Sequence, residues 1–196
     1  TKSTFFVEED KILTTLFDEG MDNLHLFKPG STPLYAERLL SLIPEDYYRK
    51  ITVHDHFYLK NEYDLAGIHL DSADTEIPNN YKGKIGRTCT DIQMLKEMKK
   101  KSSCVFLKNI FDCIEFSEEK KTFTQQQLED AADKGLIDRH VYALGGMSLD
   151  NIRMAKTLGF GGVDICGDLW SRFDIHNQTD FKELIAHFEK LRNAVR

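Results

Sequence analysis

Residues 141–168, VYALGGMSLDNIRMAKTLGFGGVDICGD, decide how the chain is read. Val141 to Leu144 is a short apolar run that ends in the glycine pair Gly145-Gly146. Asp150 to Leu158 has helical character and is stopped by Gly159, and Gly162 to Cys166 is a second apolar run closed by Gly167-Asp168. Strand, glycine turn, helix and strand make one β-α-β unit, and its strands must be parallel because a crossover helix joins them.

Moving outward, the same rhythm recurs. Thr124 caps a helix over Gln125 to Lys134 that Gly135 ends, and Cys104 to Leu107 reads as a strand. Asp91 to Lys101 is helical, with an acidic start and a lysine-rich end, the polarity the helix dipole prefers. Lys84 to Thr88, Gly67 to Leu70 and Ile51 to Val53 are further strands, with a short helix around Glu62 to Ala66. Glu8 to Gly20 and Pro33 to Ile43 have helical spacing and flank the apolar run Asn23 to Phe27. A last helix, Asp180 to Ala194, carries Phe181, Leu184, Ile185, Phe188 and Leu191 on one stripe.

Seven strands alternating with helices point to an α/β fold, a TIM (β/α)8 barrel. A Rossmann sheet is disfavoured, since no G-x-G-x-x-G opens a helix after an early strand. Because the chain from Phe5 onward already approaches a helix, the first of eight strands is expected to be short or missing. The 196 residues, 41% hydrophobic and 30% charged, suit a single domain over 1–196.

A net charge of -6 gives no long-range attraction to a polyanion, so nucleic acid is not an expected partner. No apolar run approaches the roughly 18 residues of a membrane span, and no signal-peptide pattern opens the chain. The four cysteines are widely spaced with no C-x-x-C pair, which suits a reducing, cytoplasmic setting. An apolar helix stripe does not distinguish core from subunit interface, so a homo-oligomer remains open.

In such barrels chemistry sits on the loops after the strands' carboxyl ends, and phosphate often on the last two. Gly145 and Gly146 stand on one of these loops, and Ile165, Cys166 and Gly167 on the other. Glycine lets backbone N–H groups approach an anion, so the loops are expected to hold a phosphate; tight turns are the alternative. Asp55 follows one strand and Asp74 its neighbour, and paired carboxylates suit magnesium, although a helix cap or a salt bridge would also explain them. His69 reads as a satisfied barrel histidine, and His140, His176 and His187 as loop or surface residues.

Several ordered pieces resemble the thiamine phosphate synthase (thiamine-phosphate pyrophosphorylase) family, from about Phe5 to Leu169. Asn23-Leu24-His25-Leu26-Phe27-Lys28-Pro29 takes the place of the family's Gln-Leu-Arg-Glu-Lys, and Val53-His54-Asp55 that of Ile-Asn-Asp. Gly67-Ile68-His69-Leu70-Asp71-Ser72-Ala73-Asp74 is similar to Gly-Val-His-Leu-Gly-Gln-x-Asp, and Ile85-Gly86-Arg87-Thr88 to Ile-Gly-x-Ser. Ala143-Leu144-Gly145-Gly146-Met147 is similar to Ala-Ile-Gly-Gly-Ile, and Gly162-Val163-Asp164-Ile165 to Gly-Val-Ala-Val.

The resemblance implies a transferase that couples hydroxymethylpyrimidine diphosphate to thiazole phosphate, with magnesium as cofactor and these phosphorylated molecules as partners. It implies magnesium on Asp55 and Asp74, the pyrimidine beside His25 and His54, and Thr88 near the diphosphate. The thiazole phosphate would fall to amides at Gly146, Ile165 and Cys166. Phe27 and Pro29 replace the family's Arg and Lys, while Cys113 and Phe116 replace a Thr and a Lys further on. Lys28 and Lys108 lie next to these gaps, so Lys28 joins the expected substrate-binding residues, and Lys108 and Cys113 join Thr88 as expected catalytic ones. Two alternatives stand beside the synthase reading. One is a thiazole tautomerase, which wants a histidine where Thr88-Cys89-Thr90 stands; the other is a barrel that binds thiamine-pathway phosphates without turnover.

Overall fold

Period-two alternation along each strand builds the architecture. In the computed structural model, which describes residues 1–174 and 181–196, seven strands form: β1 (Leu24–Leu26), β2 (Ile51–Val53), β3 (Gly67–Leu70), β4 (Lys84–Cys89), β5 (Cys104–Leu107), β6 (Val141–Ala143) and β7 (Gly162–Val163). All neighbours pair in parallel, in the order β1 to β7. Leu24 and Leu26, Ile51 and Val53, Ile68 and Leu70, Val105 and Leu107, and Val141 and Ala143 are buried against the helices. The register His69↔Gly86, Thr88↔Phe106 and Phe106↔Tyr142 sets the opposite, inward parity. His25, His54, His69, Thr88, Phe106 and Asp164 share that side.

Helices precede β1, fill every crossover except β3–β4, and follow β7: α1 (Glu9–Asp18), α2 (Pro33–Leu42), α3 (Leu59–Glu62), α4 (Leu95–Lys100), α5 (Gln125–Asp133), α6 (Ile152–Thr157), α7 (Gly167–Trp170) and α8 (Lys182–Val195). The cap expected at Thr124 forms a full capping box. Gln127 N–H donates to Thr124 Oγ1 at 3.2 Å, and Thr124 N–H donates to Gln127 Oε1 at 2.9 Å. The helix expected around 62–66 lies earlier, at α3, because Asp64 takes a left-handed conformation (φ 52°) that ends it. The last helix begins at Lys182; Asp180 and His176 lie outside the described residues.

Two apolar clusters fill the space around the sheet. One joins α1, α2, β1–β3 and α8, and the other joins β4–β6 with α4, α5 and α6. Among the described residues no helix is long and apolar enough to cross a membrane.

The sheet runs through seven parallel strands from β1 to β7, the α/β pattern expected from sequence with its first strand missing. No strand precedes α1 among the described residues. Thr1 instead bridges the two ends of the sheet. Its amine donates to the His25 carbonyl at 2.9 Å, its hydroxyl to the Phe27 carbonyl at 3.1 Å, and Cys166 Sγ donates to the Thr1 carbonyl at 3.3 Å.

Lys28 also departs from expectation. It sits on the helix-facing side of its segment, 3% exposed, with Nζ 2.6 Å from Glu9 Oε1 and 2.9 Å from the Thr4 carbonyl. Glu9 is itself 1% exposed and stands in the first turn of α1. Burial raises the Glu9 pKa and lowers that of Lys28, with each partner's charge opposing the shift. Breaking such a pair leaves an uncompensated buried charge, at about 3 to 5 kcal/mol. Lys28 therefore ties β1 to α1 and does not reach the inward side, where a substrate-binding role would place it.

Candidate functional site

Inward side chains and the loops after the strands' carboxyl ends enclose a cavity of about 430 Å³. His25, His54, Thr88, Lys108, Cys113, Gly145, Gly146, Cys166 and Gly167, all expected from sequence, line it. Phe27 and Phe116 line it too, at places where the resemblance has cations. Ile165 lies behind it, packed against both apolar clusters. Lys28, Asp55 and Asp74 are not among its lining residues. Asp55 and Asp74 are exposed at the ends of the adjacent strands β2 and β3.

One wall is made of rings. His25 Nδ1 lies 2.9 Å from His54 Nε2, and His54 Nδ1 lies 2.8 Å from Asp71 Oδ2. His54 stacks on His69 with ring centroids 4.5 Å apart, and Phe106 packs against both His25 and His69 at 4.7 Å. His69 Nε2 is 2.9 Å from Thr88 Oγ1, whose hydroxyl also reaches Asp71 Oδ1 at 3.4 Å. His69 has no exposed surface, and burial drives its pKa to about 3, with the His54 charge adding to the fall. Burial likewise holds His25 well below the usual imidazole range, helped by His54 and His69. Both rings are neutral near pH 7. Asp71 behaves oppositely: burial pushes its carboxyl up, but His54, His69 and Thr88 together outweigh that and lower it.

Gly86 explains why His69 can stand where it does. A Cβ at Gly86 would lie 2.5 Å from His69 Nδ1, so the pair His69 and Gly86 on neighbouring strands is a packing unit.

The opposite wall is backbone. Gly145 and Gly146 have φ of 100° and 62°, a region glycine enters without strain. Among the described residues, the amides of Gly146, Ile165 and Cys166 donate to no protein acceptor, so they remain available to a ligand. The space that the glycines leave is not where the anion expectation placed it. A Cβ at Gly146 would meet the Asp112 carbonyl oxygen at 2.2 Å, and one at Gly167 the Ile114 side chain at 2.7 Å. Both glycines serve close packing against the loop after β5, and valine there would disturb the fold before it touched an anion.

Charge at the cavity is mainly negative. Asp71, Glu115, Glu118, Glu119 and Asp164 line it, against Lys108 as the basic side chain besides the histidines. Lys108 Nζ is held 2.7 Å from Glu119 Oε1. Burial raises the Asp164 pKa, and burial next to Glu115 pushes the Cys166 thiol up to about 12, so Cys166 stays protonated and donates to Glu115 at 3.1 Å.

Asp71, Phe106, Asp164 and Glu115 did not emerge from the sequence. Parity could have found three of them: Asp71 lies two residues after His69, Phe106 two after Cys104, and Asp164 two after Gly162, each continuing an inward position. Glu115 sits on an irregular loop and carries no such signal.

Compared with solved structures, the chain is similar to thiamine phosphate pyrophosphorylase from Bacteroides thetaiotaomicron, with 43% identity, a TM-score of 0.90, and coverage of 98% of this chain and 93% of that one. It is also similar in fold to thiamine phosphate pyrophosphorylase from Pyrococcus furiosus, at 16% identity and TM-score 0.72, covering 95% of this chain and 89% of that one. A 3-hexulose-6-phosphate synthase shares the fold at 13% identity and TM-score 0.59, with 95% of each chain covered. No protein-family model and no curated protein matches the chain.

Proposed function

The chain belongs to the thiamine phosphate pyrophosphorylase family, and we propose that it joins hydroxymethylpyrimidine diphosphate to thiazole phosphate, releasing pyrophosphate and forming thiamine phosphate. The observation that carries this is convergence: ring wall, Thr88 and the Gly145-Gly146 and Cys166-Gly167 loops all border one cavity at the strands' carboxyl ends, in a chain 43% identical to a pyrophosphorylase over nearly its whole length.

In the proposed reaction the bond from the pyrimidine's methylene carbon to the diphosphate oxygen breaks, with its electron pair leaving on pyrophosphate. The thiazole nitrogen then supplies the pair for the new carbon–nitrogen bond. His25, His54 and Phe106 offer ring surface against which a flat pyrimidine can lie. Thr88, positioned by His69 and Asp71, faces the departing diphosphate. Amides of Gly146 and Cys166 on the cavity border receive the thiazole phosphate, with the Ile165 amide just behind them, where fixed dipoles need no reorganisation. Lys108 would exchange Glu119 for a phosphate oxygen.

Magnesium is the cofactor this proposal calls for. Asp55 and Asp74 offer hard oxygen ligands on neighbouring strand ends but lie outside the cavity lining, where Asp71, Glu115, Glu118 and Glu119 stand instead, and an acid-lined cavity needs a cation before it can take a diphosphate. When bound, the ion would neutralise the diphosphate and ease its departure.

A second reading, a barrel that binds these phosphates without turnover, draws on one observation: Lys28 is buried and Lys108 is paired with a carboxylate. A product assay separates the two. With both substrates and magnesium, thiamine phosphate and pyrophosphate should appear in equal amounts. Binding of thiazole phosphate with no product over long incubation would favour the second reading and defeat the first.

A further inference from the structure

The ring wall holds more than a surface for stacking. One nitrogen from each of His25, His54 and His69 lies within 4.8 Å of one from each of the others. Nitrogens bound to a common metal at about 2.0 to 2.1 Å are about 2.9 to 3.4 Å apart at ordinary coordination angles. His25 Nδ1 and His54 Nε2 already stand at 2.9 Å. The third ring, His69, stacks on His54 with centroids 4.5 Å apart, so it must turn to bring a nitrogen onto the same point.

Three further features suit a cation. Burial keeps His25 and His69 unprotonated, as a ligand must be. His54 Nδ1 is engaged by Asp71 at 2.8 Å, which fixes the tautomer with its Nε2 lone pair toward His25; carboxylate-oriented histidine is the usual support of a metal ligand. His69 is wholly buried and its Nδ1 has no hydrogen-bond partner among the protein atoms. Imidazole is a ligand of borderline cations, whereas magnesium prefers the oxygens of Asp55 and Asp74.

We propose that His25, His54 and His69 form a binding site for a borderline divalent transition-metal ion of the zinc or cobalt class, separate from any magnesium held by carboxylates. His25 and His54 border the 430 Å³ cavity, so the site leaves its remaining coordination position to a donor atom arriving from the cavity. The inference requires no turnover and stands apart from the proposed reaction.

Cobalt(II) titration of the metal-free full chain, in the presence of excess magnesium, tests it. A visible d–d band should grow, saturate at one equivalent and disappear when zinc is added. The double variant His25→Gln with His54→Asn, which keeps polar side chains of similar reach, should lose the band. Failure of the wild type to show a saturable band, or its survival in the variant, would overturn the proposal. Should the double variant not fold, X-ray absorption of the zinc-loaded wild type decides. Three imidazole nitrogens in the first shell support the site; a shell dominated by oxygen or by cysteine sulfur refutes it.

Discussion

The two walls of the cavity are built from different materials. On the β6–β7 side the ligand-facing groups are main-chain amides on glycine turns, and that stretch keeps the resemblance almost residue for residue. On the β1–β3 side the groups are side chains, and there Phe27 and Pro29 stand where the resemblance has two cations, beside His25 and His54. A backbone site depends on φ, ψ and close packing, so its sequence is constrained by geometry. A side-chain site can be rebuilt by substitution without disturbing the strands beneath it. This contrast is why the β6–β7 loops are read with more detail from sequence than the β1–β3 side.

The largest expected effect concerns two lysines that look equivalent in sequence. Lys28→Ala should lower unfolding free energy by about 3 to 5 kcal/mol, because Glu9 is left buried and unpaired. Lys108→Ala, whose partner Glu119 is about a third exposed, should cost about 1 kcal/mol or less. Denaturant unfolding of both variants checks this. Equal losses would mean that Lys28 is not the structural member of the pair.

Next in size is the pH response of the ring wall. His25 and His69 have folded-state pKa values below the unfolded 6.5, so the unfolded chain binds more protons between that value and the folded ones. Stability should be full above about pH 6.5 and should fall as pH drops below it, by about 1.4 kcal/mol per unit for each ring until the folded pKa is reached. For His69 that window extends down to about 3. Unfolding midpoints across pH 7 to 4.5 give the slope, and His25→Gln should reduce it. An unchanged slope would show that His25 is not held neutral by burial.

A smaller effect is expected at Thr88, which bonds His69 and reaches Asp71 on the ring wall. Thr88→Val keeps the shape and removes the hydroxyl, so kcat should fall about tenfold, the equivalent of one hydrogen bond, with KM for thiazole phosphate little changed. Loss confined to KM would move Thr88 from the reacting end to simple binding.

What the sequence made legible follows the same division. All seven strands were readable, since β-branched and aliphatic runs punctuated by glycine mark both the strand and its stop. The lack of a strand before α1 was readable too, because the chain from Phe5 onward already approaches a helix. Lys28 was misread because its partner Glu9 lies 19 residues earlier on α1, and only packing brings them together. Asp74 was favoured over Asp71 by motif position, whereas strand parity places Asp71 beside His54. The structure adds that Gly146 and Gly167 are needed for contact with the loop after β5.

The difference between the walls is tested most directly by calorimetry of each substrate with and without magnesium. If amides hold the thiazole phosphate and the acid-lined side depends on a cation, removing magnesium should change the thiazole phosphate Kd by less than about threefold and weaken hydroxymethylpyrimidine diphosphate by at least about tenfold, or 1.4 kcal/mol. Equal dependence of both substrates on magnesium, or independence of both, would contradict the account.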